Sequence, residues 1–234
     1  MIFDPPFAEG MLVRRYKRFL ADVVTRSGAT VTMHCANTGA MSGCSDPGSR
    51  VWYSTSDNPK RKYAHTLELV ETAAGGLVGV NTARANALVA EGLTAGKLGL
   101  FEAGAPFRRE VRIPSETGRF DFVVEENGSE TFVEVKSVTL VLEGVGAFPD
   151  AVSVRARRHV EALAACAMAG RRAALVFCVQ HSAIEVVRPA DEIDPDYGRA
   201  LRAAMRAGVE VAAFGCTLSP HKLEIGDELV VLPA

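Results

Sequence analysis

The sequence predicts a mixed α/β protein with two domains: a closed five-stranded β-barrel over residues 1–80, and an α/β domain over residues 81–234. Short strand-like segments separated by turn residues fill the first 80 residues, and such spacing is typical of a small barrel. From residue 81 the predicted order is helix, three strands, helix and strand, followed by a further helix and strands. This mixture of helices and strands indicates an α/β layer structure.

The composition is that of an ordinary globular chain. Of its 234 residues, 48% are hydrophobic and 23% are charged, and both fractions are usual for globular domains. No apolar run approaches the roughly 18 to 20 residues needed to span a bilayer, and the N-terminal MIFDPPFAEG lacks the apolar core of a signal peptide. The five cysteines are scattered without C-x-x-C spacing, which argues against a disulfide framework or a zinc knuckle. We therefore expect a cytoplasmic protein that does not contact a membrane.

The barrel is predicted from five strand-like segments. Turn residues separate them at Ser27-Gly28, at Asp46-Pro47-Gly48 and at Gly75-Gly76. The segments are MLVRRYKRFLADVV, ATVTMHC, SRVWYST, HTLELVE and LVGVN. A five-stranded barrel of the OB type, which is an oligonucleotide-binding fold, fits this length.

Basic residues are concentrated in the barrel. The formal net charge of the chain is −2, but residues 1–66 hold nine Lys/Arg against five Asp/Glu. Cations for phosphates beside aromatic faces for bases are typical of a nucleic-acid surface that tolerates many sequences. The alternative is that Tyr16, Phe19 and Trp52 form the barrel core and the arginines are merely solvated. The predicted DNA contacts are Arg14, Arg15, Lys17, Arg18, Lys60, Arg61 and Lys62.

The second domain is predicted to begin with a helix at Asn81, capped by Asn81 or Thr82 and ending near Gly92. A hairpin follows, with its turn at Asn127-Gly128. The predicted strands are 107–113, 119–124, 131–136, 173–180, 184–189 and 209–214, with a terminal pair at 218–225 and 228–232. The other predicted helices are 153–169, closed by Gly170, and 195–207, and the glycine-rich piece 137–153 is predicted to be irregular.

Acidic and basic side chains converge on the predicted hairpin. Alternate residues of a strand share a face, so Glu134 and Lys136 point one way while Val133 and Val135 point the other. Pairing of the two strands brings Asp121 towards them. Two carboxylates form a site for Mg²⁺, with Mn²⁺ as an alternative, and the lysine can hold a water molecule or a phosphate oxygen.

This Asp-x12-Glu-x-Lys pattern resembles the core of the PD-(D/E)xK nuclease superfamily, with Phe120 where the superfamily name has proline. Glu110, one strand earlier, is a candidate third acid for metal binding and catalysis. Arg155, Arg158 and His159 begin the following helix and are predicted to bind phosphates. The competing interpretation is a solvated, salt-bridged strand face. Lysine is scarce in the chain, six residues against twenty arginines, which favours a specific role for Lys136.

A wider resemblance covers nearly the whole chain. The motifs RRYKRFLADV, HCANTGAMSGC, VWYSTSDNPKRKYAHTLELV, GVNT, RFDF, EVKSVTL, FPDAVS and HSAI resemble the bacterial sugar fermentation stimulation protein family. The resemblance implies an OB-like barrel, a restriction-endonuclease-like α/β domain and sequence-tolerant DNA binding. It also implies a regulatory role in the metabolism of maltose and other sugars. The nuclease pattern then falls on Glu110, Asp121, Glu134 and Lys136.

Two functions follow as alternatives. One is a Mg²⁺-dependent deoxyribonuclease. The other is a non-catalytic DNA-binding regulator of sugar metabolism genes, with a vestigial nuclease core. A small-molecule enzyme has no support, because the chain contains no G-x-x-x-x-G-K-[ST] and no G-x-S-x-G motif. A homodimer is expected only by analogy with other proteins of the nuclease fold.

Overall fold

The computed structural model describes residues 1–114 and 118–232, and these residues form one six-stranded and one nine-stranded β-sheet. The first sheet contains β1 (Ala8–Tyr16), β2 (Leu20–Thr25), β3 (Thr30–Cys35), β4 (Arg50–Thr55), β5 (His65–Glu71) and β6 (Leu77–Gly79). Its order is β3-β2-β1-β4-β5-β6, and β3 also pairs in parallel with β5. That pairing closes β1 to β5 into a barrel, which confirms the predicted fold of this part.

The basic stretch at residues 11–24 differs from its prediction as a single strand. It forms a tight hairpin, in which β1 ends at Tyr16 and β2 begins at Leu20. Lys17 and Arg18 lie in the turn with φ values of 50° and 64°. Turn prediction relies on Gly, Asn, Asp or Pro, and none of these residues is present in this turn. The predicted fifth strand, β6, consequently adds to the edge of β5 outside the barrel.

The described part of the chain from residue 81 contains the predicted order of helix, three strands, helix and strand, with two further short strands before the second helix. Its helices are α1 (Ala83–Ala95), α2 (Val154–Met168) and α3 (Pro195–Arg206). Its strands are β7 (Phe107–Arg112), β8 (Arg119–Glu126), β9 (Ser129–Val138), β10 (Leu140–Leu142), β11 (Val145–Phe148), β12 (Arg172–Val179), β13 (Val186–Pro189), β14 (Glu210–Leu218) and β15 (Leu223–Val231). The strand order is β10-β11-β13-β15-β14-β12-β9-β8-β7.

Three details of the predicted elements were wrong. The piece predicted to be irregular contains β10 and β11, and the predicted terminal pair is one strand, β15, which forms a hairpin with β14. Helix α1 continues past Gly92 and ends at Gly96, whose φ is 65°. Gly92 lies inside the helix. A Cβ at this position would come within 2.8 Å of Ile225 Cγ2. Tight packing, and not helix termination, requires glycine at this position.

The hairpin of β8 and β9 turns at Asn127 and Gly128, as predicted, and their φ values of 50° and 75° suit a tight two-residue turn. β9 pairs in parallel with β12, so it lies inside the sheet. Val133 and Val135 pack with α1 in one hydrophobic cluster, while α2 and α3 pack in another cluster with Phe132. Polar side chains on β9 that alternate with Val133 and Val135 therefore face α2. Among the described residues, no helix is long and apolar enough to cross a bilayer.

Candidate nuclease-like site

Asp121 on β8 is held from two directions. Its Oδ2 accepts the backbone N–H of Val135 on β9 at 2.8 Å. Its Oδ1 accepts a hydrogen bond from Asn86 Nδ2 on α1 at 2.6 Å. Sequence reasoning missed Asn86. Its only signal was a polar amide on a helix face otherwise occupied by Ala, Leu and Val, and that signal does not specify a partner. Both carboxylate oxygens of Asp121 are therefore oriented before any ligand binds.

Glu134 on β9 is buried, with 3% of its surface exposed. Its Oε1 accepts from Lys136 Nζ at 2.5 Å and also contacts His159 Nδ1 on α2. Its Oε2 is buried and has no hydrogen-bond partner among the described residues. A buried carboxylate oxygen without a partner is rare, because its desolvation is not compensated. Glu134 thus has one oxygen with two partners and one buried oxygen without a partner among the described residues.

The two carboxyl groups titrate differently. Burial, and then the charge of Glu134, raise the pKa of Asp121 to about 6. Burial acts in the same direction on Glu134. There, however, the hydrogen bond with His159 and the charge of Lys136 outweigh it and hold the pKa of Glu134 below its ordinary value. Two close carboxylates in a poorly solvated position make a site that favours a bound cation.

A cavity of about 380 Å³ joins the barrel to this site. Asp121, Glu134 and Lys136 line one side of it. Arg18 and residues 37–39 of the barrel line another side, and residues 147–153 with Arg155 complete the wall. A second cavity, of about 860 Å³, shares Asp121 and Arg155 with the first. Asp121 therefore lies where the two cavities adjoin, Glu134 lines the first cavity, and the barrel contributes directly to that cavity.

Glu110 on β7 is the predicted third acid. Its neighbours Arg109 and Val111 pair with Phe122 and Phe120 without a change of register, so Glu110 lies across from Asp121, although these two residues do not pair, and its φ is 53°. Glu110 is exposed and lines the second cavity with Asp121. However, no group of three or more His, Cys, Asp or Glu residues that could hold a metal occurs in the described parts of the chain. The structure does not bring Glu110 into one ligand set with Asp121 and Glu134.

The predicted DNA-binding residues at the first barrel hairpin are partly engaged in the fold. Arg14 pairs with Asp22 at 2.8 Å. Arg15 donates to the backbone carbonyls of Arg18, Asn37, Gly39 and Ala40. Arg18 donates to Thr38 O at 2.8 Å, and Lys17 is exposed in the turn. The main contacts of Arg15 are thus structural, and its contact with DNA stays a prediction.

The second basic cluster, Lys60, Arg61 and Lys62, lies exposed in the loop between β4 and β5. Arg61 donates to Thr66 Oγ1 at 2.8 Å, and Lys62 Nζ lies 5.5 Å from the centre of the Tyr63 ring. Of the aromatic residues considered with these clusters, Trp52 is buried in the core, whereas Phe19 is 45% exposed. The lysines present their charge to solvent, which suits a phosphate surface.

The predicted phosphate contacts on α2 divide into two kinds. Arg155 and Arg158 are exposed and line the second cavity. The side chain of His159 is only 12% exposed and contacts Glu134 through Nδ1. His159 therefore orients the buried carboxylate, a role that spacing along the helix did not reveal because it depends on how α2 packs over β9.

Two family models match the chain. One, described as the SfsA N-terminal OB domain, matches residues 13–80. The other, described as the sugar fermentation stimulation protein RE domain, matches residues 83–222. The chain belongs to the sugar fermentation stimulation protein family. This confirms the resemblance inferred from the motifs.

Relatives in this family are similar over their full lengths. A sugar fermentation stimulation protein homolog of Alkalilimnicola ehrlichii is 54% identical and covers 99% of both chains. The homolog of Shewanella loihica is 50% identical over 96% of this chain and 97% of its own. The solved structure of Pyrococcus furiosus SfsA in complex with Ca²⁺ has a TM-score of 0.88 and 26% identity, and it covers 99% of this chain and 98% of that one. The two-part architecture is thus a property of the family.

Proposed function

We propose that this protein is a Mg²⁺-dependent nuclease that hydrolyses phosphodiester bonds in DNA. One observation carries the proposal: Glu134 has a buried Oε2 without a partner, and this residue lines a cavity together with Asp121 and Lys136. Carboxylates that meet beside a lysine suit phosphoryl chemistry, in which a cation and a positioned water are required.

The donor set fits a hard divalent cation. Asp121 and Glu134 offer carboxylate oxygens, and Mg²⁺ or Mn²⁺ commonly uses one or two carboxylates and completes its shell with water and phosphate. A bound Mg²⁺ supplies electrostatic stabilisation of charge that develops on the scissile phosphate. The Ca²⁺ complex of the Pyrococcus furiosus relative supports a divalent cation in this family. Glu110 is proposed to reach the cation only through a bound water, because it is not part of a three-residue group.

The residues around the carboxylates have distinct roles in this proposal. Asn86 and the Val135 N–H orient Asp121, and His159 orients Glu134. Lys136 has 12% of its side chain exposed and lines the cavity, so its ammonium group is proposed to position the attacking water or a phosphate oxygen. Arg155 and Arg158, which are exposed beside the carboxylates, are proposed to bind the flanking phosphates.

The barrel is proposed to hold the DNA. Lys17, Arg18, Lys60, Arg61 and Lys62 are exposed on it. Lysine and arginine contacts to phosphates release counterions, so binding of this kind is strong at low salt and independent of sequence. Arg18 is the one of these residues that also lines the cavity with the carboxylates. It therefore connects the binding surface of the barrel to the proposed reaction centre.

A second candidate function has one observation in its favour. Lys136 and His159 already contact Oε1 of Glu134 without a metal. A regulator that binds DNA and has lost cleavage, acting on sugar metabolism genes, is compatible with such a self-contained cluster. It predicts DNA binding that is strongly salt dependent and unaffected by EDTA.

The deciding experiment incubates the protein with duplex, single-stranded and branched DNA in Mg²⁺, Mn²⁺ or EDTA. Asp121→Asn and Glu134→Gln are compared with the parent, and Glu125→Gln is the control, because Glu125 is an exposed acid on the same strand as Asp121 that pairs with Arg108. A nuclease cleaves with metal, and cleavage is lost in the two site variants but kept in the control. DNA binding without cleavage, equal in every variant and in EDTA, would instead establish the regulator.

A further inference from the structure

A segment of the barrel spans the proposed site. Residues 36–41, called the strap here, follow β3 directly and run between two walls of the 380 Å³ cavity. At one end, Ala36 O accepts the backbone N–H of Thr82 at 3.1 Å and the Thr82 hydroxyl at 2.8 Å, just before α1. At the other end, the Met41 N–H donates to Asp150 Oδ2 at 3.1 Å. The strap is thus attached at both ends to the part of the chain that carries the carboxylates.

The middle of the strap is also fixed. One guanidinium group, that of Arg15, donates to the carbonyls of Asn37, Gly39 and Ala40. Gly39 lies against the far wall so closely that a Cβ would come within 2.3 Å of Asp150 Oδ2. Moving the strap aside would break these contacts together. It is therefore a permanent boundary of the cavity.

The size of this bounded space limits what can reach Glu134 and Lys136, which line it and not the second cavity. Sites for small ligands occupy about 300 to 1,000 Å³, and the cavity of about 380 Å³ lies near the lower end of that range. A space of this volume matches one nucleotide better than a base pair with both backbones. A duplex could therefore place a phosphate beside Glu134 in this cavity only where one nucleotide is unpaired, at a strand end or by extrusion.

The neighbouring cavity provides a path for the rest of the strand. It shares Asp121 and Arg155 with the bounded cavity and is also lined by Arg119 and Arg158. Three arginines along this second space suit the successive phosphates of one backbone. A single strand can thus lie along the arginines and place one nucleotide beneath the strap, with its phosphate at the carboxylates.

We propose that the substrate is single-stranded or locally unpaired nucleic acid, of which the space under the strap accepts one unpaired nucleotide. The nucleotide is either the end of a strand or a residue extruded from within it. This inference rests on the proposed nuclease function, which it deepens by naming the substrate class.

The test compares cleavage, in Mg²⁺, of a linear single strand, a circular single strand and a linear duplex of the same sequence. We expect the linear single strand to be cleaved at least about tenfold faster than the duplex. The circular single strand is cleaved at a similar rate or not at all. Cleavage of the circle identifies an extruded nucleotide, and its resistance identifies a strand end. Equal rates on duplex and single strand would overturn the inference while leaving the nuclease intact. Absence of cleavage on all three substrates would overturn both.

Two strap variants test the cavity itself. Thr38 is exposed on the strap and lines the cavity, so Thr38→Trp should narrow the space and slow single-strand cleavage at least about tenfold. Thr30→Trp is the control, since Thr30 is exposed on the same barrel and lines neither cavity. Gly39→Ala should push the strap off Asp150 and lower the preference for single strands over duplex several-fold. Parent-like rates and selectivity in both variants would refute the role of the strap, provided that circular dichroism shows them folded.

Discussion

Asn86 donates a hydrogen bond of 2.6 Å to Asp121 Oδ1, so an amide on α1 orients an acid on β8. The two residues are 35 positions apart. Helix α1 begins a few residues after β6, the last strand of the first sheet, and it packs against the face of the second sheet that carries Val133 and Val135. The docking of this helix therefore helps to set the geometry of the proposed cation site.

Removal of this amide should weaken cation binding. Loss of a hydrogen bond to a metal-binding carboxylate commonly reduces metal affinity about 10- to 100-fold. We expect Asn86→Ala to reduce Mg²⁺ affinity by a factor in this range, as measured by isothermal titration calorimetry. Thr94→Ala, on the exposed side of the same helix, serves as the control and should bind Mg²⁺ like the parent. If Asn86→Ala binds Mg²⁺ as tightly as the parent, Asn86 does not support the cation site.

Neutralisation of Asp121 should stabilise the metal-free protein at neutral pH. The pKa of Asp121 in the folded state is raised from 3.8 to about 6. The folded state thus binds this proton more tightly than the unfolded state, and stability is lost as the pH rises from about 4 to 6. In Asp121→Asn, the side-chain amide of Asn86 can flip, so that Asn86 Oδ1 accepts a hydrogen bond from the NH₂ group introduced at position 121. We expect this variant to gain roughly 1 to 3 kcal/mol in unfolding free energy at pH 7.5, and much less at pH 4.

Denaturant unfolding in EDTA at the two pH values measures this difference. Mg²⁺ should then raise the unfolding free energy of the parent and not of Asp121→Asn, because a ligand stabilises only the state that binds it. A variant less stable than the parent at pH 7.5, with no dependence on pH, would contradict the raised pKa of Asp121.

Lys136 should affect cleavage and metal affinity in opposite ways. Its ammonium group lies 2.5 Å from Glu134 Oε1 and competes electrostatically with a cation at the same carboxylate. We expect Lys136→Met to bind Mg²⁺ at least as tightly as the parent while its cleavage rate falls about 100-fold or more. A parallel loss of affinity and cleavage would instead make Lys136 a structural partner of Glu134.

The exposed lysines of the second basic cluster should contribute to DNA binding through charge alone. Each phosphate contact contributes about 0.7 to 0.9 to the slope of log K against log salt. The double variant Lys60→Ala/Lys62→Ala should therefore lower this slope by about 1 to 2 and weaken binding of all sequences equally. Arg26→Ala is the control, because Arg26 is an exposed barrel arginine that pairs with Glu9. Fluorescence anisotropy at several salt concentrations measures the slope. An unchanged slope in the double variant would show that these lysines do not contact DNA.

The sequence predicted the elements whose signals are local. Alternation along β9 predicted that Glu134 and Lys136 share a face, and Asn127-Gly128 predicted the turn before them. The β1–β2 turn was missed because Lys17 and Arg18 adopt positive φ without a Gly or Asn signal. Gly92 was wrongly predicted to end the helix, because glycine is required there by close packing against Ile225, which is distant in sequence. The contacts of Asn86 and His159 depend on packing between elements, which no periodicity encodes.

The strap also bears on how this surface tolerates sequence change. Its path is set mostly by main-chain carbonyl groups, which accept hydrogen bonds from Arg15. A carbonyl is present whatever the side chain, so substitution at Thr38 or Ala40 leaves the path of the chain unaltered. Gly39 is pressed against Asp150, and Asn37 and Met41 are buried, so these three positions have steric requirements of their own. If the proposed nucleotide binds beneath the strap, homologous proteins can acquire new preferences for it by exchanging exposed side chains on an unchanged backbone.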